Sequence, residues 1–330
     1  MSLTKSFALL VGKVLGAAAL LAASLSAGAV DPFPAREIHF IVPWNAGGSN
    51  DISARTLAAI AAEDGVKLIV ENVPGATGAI GMTKVANAEP DGYTVGMGTS
   101  STLALIAQGL TPLRNEQFAP IARVTTDPLI LLVPAKGEYG TLESFLAHVK
   151  ANPGKVSIGI PGTNNLNHIF AVMTGRAAGG DTLAVPYTGG AKVLVDVAGK
   201  QIEAGVLKPS ESKAQIDGGL VKPIAVFGNG RIKSLPDVPT FKEKGFDVFP
   251  YGPLVQMAYV VAPARTPPGV REKLIAMFQK WIKSDKYRAS SEAGGAVVDD
   301  LTGAGLIREI NNVQKSLNEV GKKVFVAEKK

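Results

Sequence analysis

The stretch Pro43-Trp44-Asn45-Ala46-Gly47-Gly48-Ser49-Asn50-Asp51 joins an apolar segment, residues 38–42, to an amphipathic segment that begins at Ile52. Glycines in such a turn let the backbone approach a ligand closely, because no Cβ stands in the way. The first amides of a helix lack an intrahelical partner, and the helix dipole makes that end partly positive. The turn is therefore suited to binding a small anion. An ordinary strand-to-helix turn, capped by Asn50 or Asp51, explains it equally well.

Apolar segments, glycine-containing turns and amphipathic segments follow one another along most of the chain. This alternation is typical of α/β proteins with parallel sheets and helices on both faces. The predicted strands are residues 38–42, 67–71, 93–97, 129–134, 156–160, 183–186 and 201–207, and the clearest predicted helices are 52–63, 141–151 and the one that begins after 165.

Three further turns resemble the first in having glycine and small polar residues before a helix: residues 98–101, 162–165 and 188–191. In open α/β sheets such turns lie together beyond the carboxyl ends of the strands, where ligands bind. Two such domains facing each other would surround one cleft with several helix N-termini. The sequence therefore predicts a pocket of backbone amides and small polar side chains, which suits a carboxylate.

The N-terminal segment predicts secretion. Lys5 and Lys13 precede an apolar run over residues 14–23, and Ala27-Gly28-Ala29 offers a small-residue cleavage site. This pattern indicates a signal peptide over residues 1–29, and its apolar run is too short for a membrane span. The chain has no cysteine, so it has neither a disulfide nor a thiol beside the cleavage site for a lipid anchor. We expect a soluble periplasmic protein.

The charge of the chain is only mildly basic, with 34 Lys and Arg against 28 Asp and Glu. Removal of the predicted leader takes away Lys5 and Lys13 and no acid, which leaves a formal charge of +4. Such a charge weakly favours anionic ligands. Basic residues form no stripe and aromatic residues are sparse, so we expect no nucleic-acid partner.

Several motifs, in this order, resemble the periplasmic solute-binding receptors of the tripartite tricarboxylate transporter family, also called Bug proteins. The resemblance covers nearly all of the chain after the leader. Its motifs are Pro43 to Asp51, Val70-Glu71-Asn72 with Pro74-Gly75-Ala76, Pro90-Asp91-Gly92-Tyr93-Thr94, Asn152-Pro153-Gly154-Lys155, Val185-Pro186-Tyr187, Leu235-Pro236-Asp237-Val238-Pro239-Thr240, and Ala262-Pro263 with Thr266-Pro267.

The resemblance implies an α/β, two-domain periplasmic binding protein of type II, with a cleft between two Rossmann-like lobes. We expect residues 31–126 plus 250–330 to form lobe 1 and residues 127–249 to form lobe 2. The family further implies a monomer without cofactor or metal that captures a small carboxylate and passes it to the membrane subunits of a tripartite transporter.

The family also implies the binding residues, because its ligand carboxylate is held by the Ala-Gly-Gly turn and by the turn after residues 156–160. From the other repeated turns, we add the polar residues Thr99, Ser100 and Thr188 as candidate ligand contacts. Trp44 and Tyr187 are candidate pocket walls, although either ring would equally fit in the core. The roles implied by the family carry over to Asn45, Ala46, Gly47, Ser49 and Asn50, and to Gly162, Thr163, Asn164 and Asn165.

Two departures from the family bear on the ligand. Ile160-Pro161 stands where small hydroxyl residues are common, and Leu207-Lys208-Pro209 stands where Asp-Asn is common. The Lys208 ammonium would suit a second carboxylate on the ligand, or it is a solvated loop lysine. His168 can contact ligand or simply occupy the first turn of its helix.

Enzyme motifs are missing from the sequence. It contains no Gly-x-Ser-x-Gly elbow, no His-Glu-x-x-His and no Walker loop, and three histidines without cysteine argue against a metal cluster. The predicted function is capture of a small organic acid without catalysis: a di- or tricarboxylate, an aromatic carboxylate or an amino-acid-like carboxylate would each fit the amide turns. A secreted hydrolase with an unrecognised site and a ligand-sensing subunit of a signalling system are the alternatives, and the sequence does not identify the ligand.

Overall fold

Two five-stranded sheets organise residues 33–325, the part of the chain that this computed structural model describes. The predicted signal peptide lies outside the described residues. The strands are β1 (Ile38–Val42), β2 (Leu68–Asn72), β3 (Thr94–Thr99), β4 (Phe118–Thr126), β5 (Leu129–Pro134), β6 (Ser157–Ile160), β7 (Leu183–Pro186), β8 (Ala204–Leu207), β9 (Val221–Phe227) and β10 (Met257–Pro263).

Helices cover the sheets. They are α1 (Ser49–Glu63), α2 (Ala79–Ala86), α3 (Ser100–Ala107), α4 (Leu142–Ala151), α5 (Leu166–Ala177), α6 (Gly190–Ala198), α7 (Pro209–Asp217), α8 (Pro268–Lys283), α9 (Asp285–Ala293) and α10 (Gly303–Val320), the last followed by a short π-helix, Gly321–Phe325. Within residues 33–325, no helix is long and apolar enough to cross a membrane.

Both sheets are mixed, so the prediction of parallel sheets is only partly correct. The first has the order β2-β1-β3-β10-β4, and the second β7-β6-β8-β5-β9. Strands β1, β2 and β3 pair in parallel, as do β6, β7 and β8, whereas β10 and β5 pair antiparallel with both of their neighbours. The strands β5 and β10 are each reached directly from the other sheet. A helical crossover within one sheet makes the next strand parallel to the last one, and neither β5 nor β10 follows such a crossover.

The first sheet is held between helices by large apolar side chains. Phe40 of β1 packs edge-on against Phe278 of α8, with ring centroids 5.7 Å apart, and Phe278 packs in turn against Trp281. All three rings are buried. Trp281 Nε1 also donates a 2.8 Å hydrogen bond to Asp64 Oδ2 at the end of α1. Residues beyond 263 therefore return to the first sheet and complete its core.

The second sheet is built around β5, whose six residues are all buried. Helix α4 begins as predicted: Thr141 is the N-cap, and its hydroxyl accepts a 3.2 Å hydrogen bond from Ser144 N. The predicted apolar face of α5 is confirmed, because its four residues at helical spacing are all buried: Leu166, Ile169, Phe170 and Met173.

The chain passes between the sheets twice. Residues 127–128 join β4 to β5, and residues 228–256 lead from β9 back to β10. The two connections run side by side, since Asp127 N donates a 2.8 Å hydrogen bond to Gln256 O. Asp127 is thereby fixed at the junction of the two sheets.

Helix α2 packs very closely against the start of the stretch 43–51. An ideal Cβ on Gly81 would lie 2.7 Å from Pro43 Cβ and 2.8 Å from Val73 O. Contacts this short leave no room for a methyl group, so glycine at this position fixes how near the helix lies to the loop.

We expect Gly81→Ala to destabilise the protein by about 1–3 kcal/mol in urea unfolding, as overpacking does. A loss of stability would be informative, because alanine by itself favours a helix over glycine by about 1 kcal/mol and would otherwise stabilise the protein. Gly269→Ala in α8 is the matched control, since its Cβ would meet no atom within 4 Å. Stabilisation by both substitutions would contradict the close packing.

Candidate functional site

A cleft of about 710 Å³ is lined by elements that belong to both sheets. One wall is the loop after β1 with the start of α1, and the opposite wall is formed by the starts of α6 and α7. The end of β4 and part of α9 close the remaining side. The lining residues include Asn45, Ala46, Gly47, Gly48, Ser49, Ile52, Thr125, Asp127, Gly189, Gly190, Ala191, Leu194, Ser210, Glu211, Ser290 and Ser291.

Three helices begin at this cleft, and none is capped by a side chain. Their N-cap residues are Gly48 for α1, Gly189 for α6 and Lys208 for α7. By contrast, α5 begins away from the cleft lining and is capped by Asn165, whose Oδ1 accepts a 3.0 Å hydrogen bond from His168 N. The starts of α1 and α6 thus leave their first amides available for an anion, whereas α7 has Pro209 at its first position, which lacks an N–H.

Asp51 organises the loop that precedes α1. Its carboxylate accepts hydrogen bonds from Gly47 N (2.8 Å), Arg55 Nε (3.0 Å) and Asn72 Nδ2 (2.9 Å). The expected cap at Asn50 or Asp51 is therefore wrong, because Gly48 is the N-cap and Asp51 lies in the first turn. Burial acts to raise the pKa of Asp51, but the hydrogen bonds and the Arg55 charge outweigh it and lower the pKa. Gly47 has φ +80°, which glycine adopts without strain.

Lys208 is buried, with 7% of its surface exposed, so the solvated-loop interpretation is wrong. Its Nζ donates to Ser49 Oγ at 3.0 Å and to Asp127 Oδ2 at 3.2 Å. The ammonium thus joins the start of α1, the connection between the sheets and the start of α7. It lies behind the cleft lining rather than in it.

The charges around Lys208 perturb one another. Burial alone would lower the pKa of the Lys208 ammonium, but the carboxylates of Asp127 and Glu211 raise it overall, so Lys208 stays charged. Burial raises the pKa of Glu211, and the Asp127 carboxylate adds to this effect while Lys208 opposes it. Glu211 is half-buried at the cleft wall.

The repeated turns do not all meet. The turns over residues 46–51 and 188–191 both contribute to the cleft, through Ala46 to Ser49 and through Gly189 to Ala191. In the turn over 98–101, Thr99 is buried, and Ser100 Oγ donates to Val255 O (2.6 Å) and accepts from Met257 N (3.2 Å). These hydrogen bonds tie the start of α3 to Val255 and to the first residue of β10.

The turn over residues 162–165 is used structurally and is absent from the cleft lining. Gln108 Nε2 donates to Asn164 O at 2.9 Å, and Asn165 Nδ2 donates to Pro161 O at 3.0 Å. Gly162 and Thr163 make no contact with the cleft. His168 lies in the first turn of α5 and packs on Phe325, with ring centroids 5.0 Å apart. Ligand contacts by this turn stay a prediction.

Four other predicted residues surround the cleft without lining it. Trp44 is half-buried and Asn50 is buried, while Thr188 is exposed beside the start of α6. Tyr187 packs against the apolar cluster of the second sheet, and its hydroxyl donates to Asp196 Oδ2 at 2.8 Å. Burial and this acidic partner raise the pKa of Tyr187 to about 12. Their roles as pocket walls or polar contacts also stay predictions.

Asp127, Ser210, Glu211, Ser290 and Ser291 line the cleft and were missed by sequence reasoning. None belongs to a recognisable motif. Only the pattern Asp127-Pro128 between two apolar segments offered a signal, since an acidic residue is unusual between buried strands. In the described residues no group of three or more His, Asp or Glu is arranged to hold a metal ion.

We expect Lys208→Met to destabilise the protein by about 3–5 kcal/mol, because it leaves the Asp127 charge buried and unpaired. The double variant Lys208→Met with Asp127→Asn should recover much of this loss in urea unfolding. Lys213→Met is the control on the same helix, since its pair with Asp217 is exposed and should contribute about 0–1 kcal/mol. Equal effects of the two single substitutions would contradict a buried ion pair at Lys208.

Comparisons with known proteins agree with the resemblance found in the sequence. The model of the tripartite tricarboxylate transporter family receptor matches residues 54–316. BugT of Bordetella pertussis is 29% identical over 317 residues, which cover 93% of this chain and 95% of BugT. A solved periplasmic transporter is 32% identical with a TM-score of 0.80, covering 88% of this chain and 98% of that one.

MatC of Rhodopseudomonas palustris, solved with bound malate, is 25% identical with a TM-score of 0.78, and the match covers 88% of this chain and 100% of MatC. This chain belongs to the tripartite tricarboxylate transporter receptor family and has the α/β fold of its periplasmic binding proteins.

Proposed function

We propose that this protein captures a small organic acid in the periplasm and delivers it, without chemistry, to the membrane subunits of a tripartite tricarboxylate transporter. The observation that carries the proposal is the meeting of the uncapped starts of α1 and α6 in one cleft. The malate bound to MatC supports a carboxylate as ligand class. The proposed compartment rests on the signal peptide predicted at residues 1–29.

The start of α1 is the proposed site of the ligand carboxylate. Gly48 and Ser49 line the cleft where the helix dipole is positive, and the Lys208 ammonium lies behind Ser49 at 3.0 Å. Hydrogen bonds to a charged group are worth about 1.5–3 kcal/mol each. Two or three of them are enough to hold a small acid, and a cleft of this size is typical of small-molecule sites.

We also propose that residues 31–126 plus 250–330 and residues 127–249 move as two lobes around the paired connections. Sheet membership supports this division, because each sheet draws its strands from one of the two sets. The Lys208–Ser49 hydrogen bond spans the proposed lobes. A ligand that bonds to both walls of the cleft would favour the closed arrangement.

We expect Gly48→Val and Gly189→Val each to lower the affinity for a bound acid at least about tenfold by filling the carboxylate site. Both glycines have extended φ values (−77° and 178°), and neither Cβ would meet an atom closer than 3.4 Å, so the fold should tolerate valine. Calorimetry with an acid selected from a panel of C4 to C6 and aromatic carboxylates provides the measurement.

The control is Gly140→Val, at an exposed glycine whose Cβ would meet nothing within 4 Å. Unchanged affinity in both cleft variants would place the carboxylate elsewhere, such as at residues 162–165. The ligand should be recovered chemically intact after prolonged incubation, because a receptor binds stoichiometrically. Turnover by the wild-type protein would favour the hydrolase alternative.

Saturation with the same acid should reduce the radius of gyration measured by small-angle X-ray scattering, since closure brings the two lobes together. Lys208→Met should show a larger radius without ligand than the wild type, because the contact to Ser49 is lost. No compaction with an acid that calorimetry shows to bind would contradict the two-lobe proposal.

A further inference from the structure

The charged side chains that line the cleft are both acidic. Among the described residues that line the cleft, Asp127 and Glu211 are the only ionisable ones, and none is lysine or arginine. The nearby cation, Lys208, is already paired with Asp127. Two carboxylates around one ammonium give this end of the cleft an excess of negative charge when both are ionised.

Asp127 has a spare hydrogen-bond acceptor. Its side chain is 5% exposed, and its Oδ2 accepts from Lys208 Nζ at 3.2 Å and from Thr125 Oγ1 at 3.4 Å. Its Oδ1 is buried and has no hydrogen-bond partner. The hydroxyl of Ser210, also in the cleft wall, is likewise buried without a partner. A buried, unpartnered carboxylate oxygen is costly, so a ligand that donates to it would be favoured.

Glu211 supplies a second acceptor beside Asp127. Its Oε2 lies 3.1 Å from the ideal position of a Cβ on Gly190, which places the carboxylate against the start of α6. The Asp127 carboxylate is near enough to disfavour ionisation of Glu211 and so to raise its pKa. A second carboxylate of a ligand would add to this repulsion, whereas a cation would relieve it.

We propose that Asp127, Ser210 and Glu211 form a subsite for an ammonium group, so that the ligand is an α-amino acid rather than a simple di- or tricarboxylate. The inference rests on the proposed function, which places the ligand carboxylate at the start of α1. One ammonium, that of Lys208, contacts both Ser49 and Asp127. The start of α1, which would bind the carboxylate, and Asp127, which would bind the ammonium, are therefore close together. Their spacing suits a ligand whose carboxylate and ammonium are attached to the same carbon atom.

The test compares matched compounds by calorimetry on the full-length secreted protein. Each set contains an amino acid, its deamino acid and its decarboxylated amine: leucine, 4-methylpentanoate and isopentylamine; phenylalanine, 3-phenylpropanoate and phenethylamine; aspartate, succinate and β-alanine, with malate as the hydroxyl analogue. In at least one set the amino acid should bind about 10- to 100-fold more tightly than its deamino acid.

Glu211→Gln should lower the affinity for that amino acid by at least about tenfold and leave the deamino acid unweakened. The Glu211 carboxylate lies within ion-pair distance of no cation in the described residues, but its charge favours the Lys208 ammonium, so thermal unfolding checks that the fold is kept. Glu89→Gln, at an exposed position, controls for the change in net charge.

Succinate, malate or another deamino acid binding as tightly as its amino acid, or Glu211→Gln weakening both equally, would overturn the ammonium subsite while leaving carboxylate capture intact. An amine that binds as tightly as its amino acid would overturn the carboxylate site and hence the proposed function. Failure of every compound in all three sets to bind would overturn both.

Discussion

The Lys208 ammonium holds the start of α1, the connection between the sheets and the start of α7 at one point. It donates to Ser49 and to Asp127, and all three side chains come from different elements. An ammonium taken out of water costs several kcal/mol unless its partners compensate it. Separating α7 from the connection would leave both charges unpaired, whereas withdrawing α1 would cost the ammonium only its hydrogen bond to Ser49.

Among the described helices, a side chain caps α4, α5 and α9, whereas none caps α1, α6 and α7 at the cleft, nor α2, α3, α8 and α10 elsewhere. Helices α4 and α5 are capped by Thr141 and Asn165, and a good cap is worth about 0.5–2 kcal/mol. The starts of α1 and α6 have glycine instead, so their amides stay open at the same place. Glycine in place of a good side-chain cap costs only about a few tenths of a kcal/mol, so these open amides reduce local helix stability little.

Periodicity and apolar runs were read correctly from the sequence, whereas the N-cap of α1 and most side-chain contacts between distant residues were not. The bounds of β5 and the buried face of α5 follow from runs and spacing within a few residues. The environment of Lys208 could not be predicted, because Ser49 and Asp127 are 159 and 81 residues away. The turn at 162–165 looked like the turn at 46–51, but there the side chain of Asn165 caps its own helix, a choice that composition alone does not reveal.

The protonation of Glu211 connects the charge of the cleft with the charge of a ligand. Burial raises the pKa of this carboxyl, opposed by Lys208 and reinforced by Asp127. A neutral Glu211 can donate a hydrogen bond to a carboxylate, whereas an ionised Glu211 accepts one from an ammonium. A bound ammonium favours the ionised form and lowers the pKa, and a bound dicarboxylate does the reverse. The protonation of Glu211 is therefore coupled to the charge of any group placed against Asp127 and Glu211.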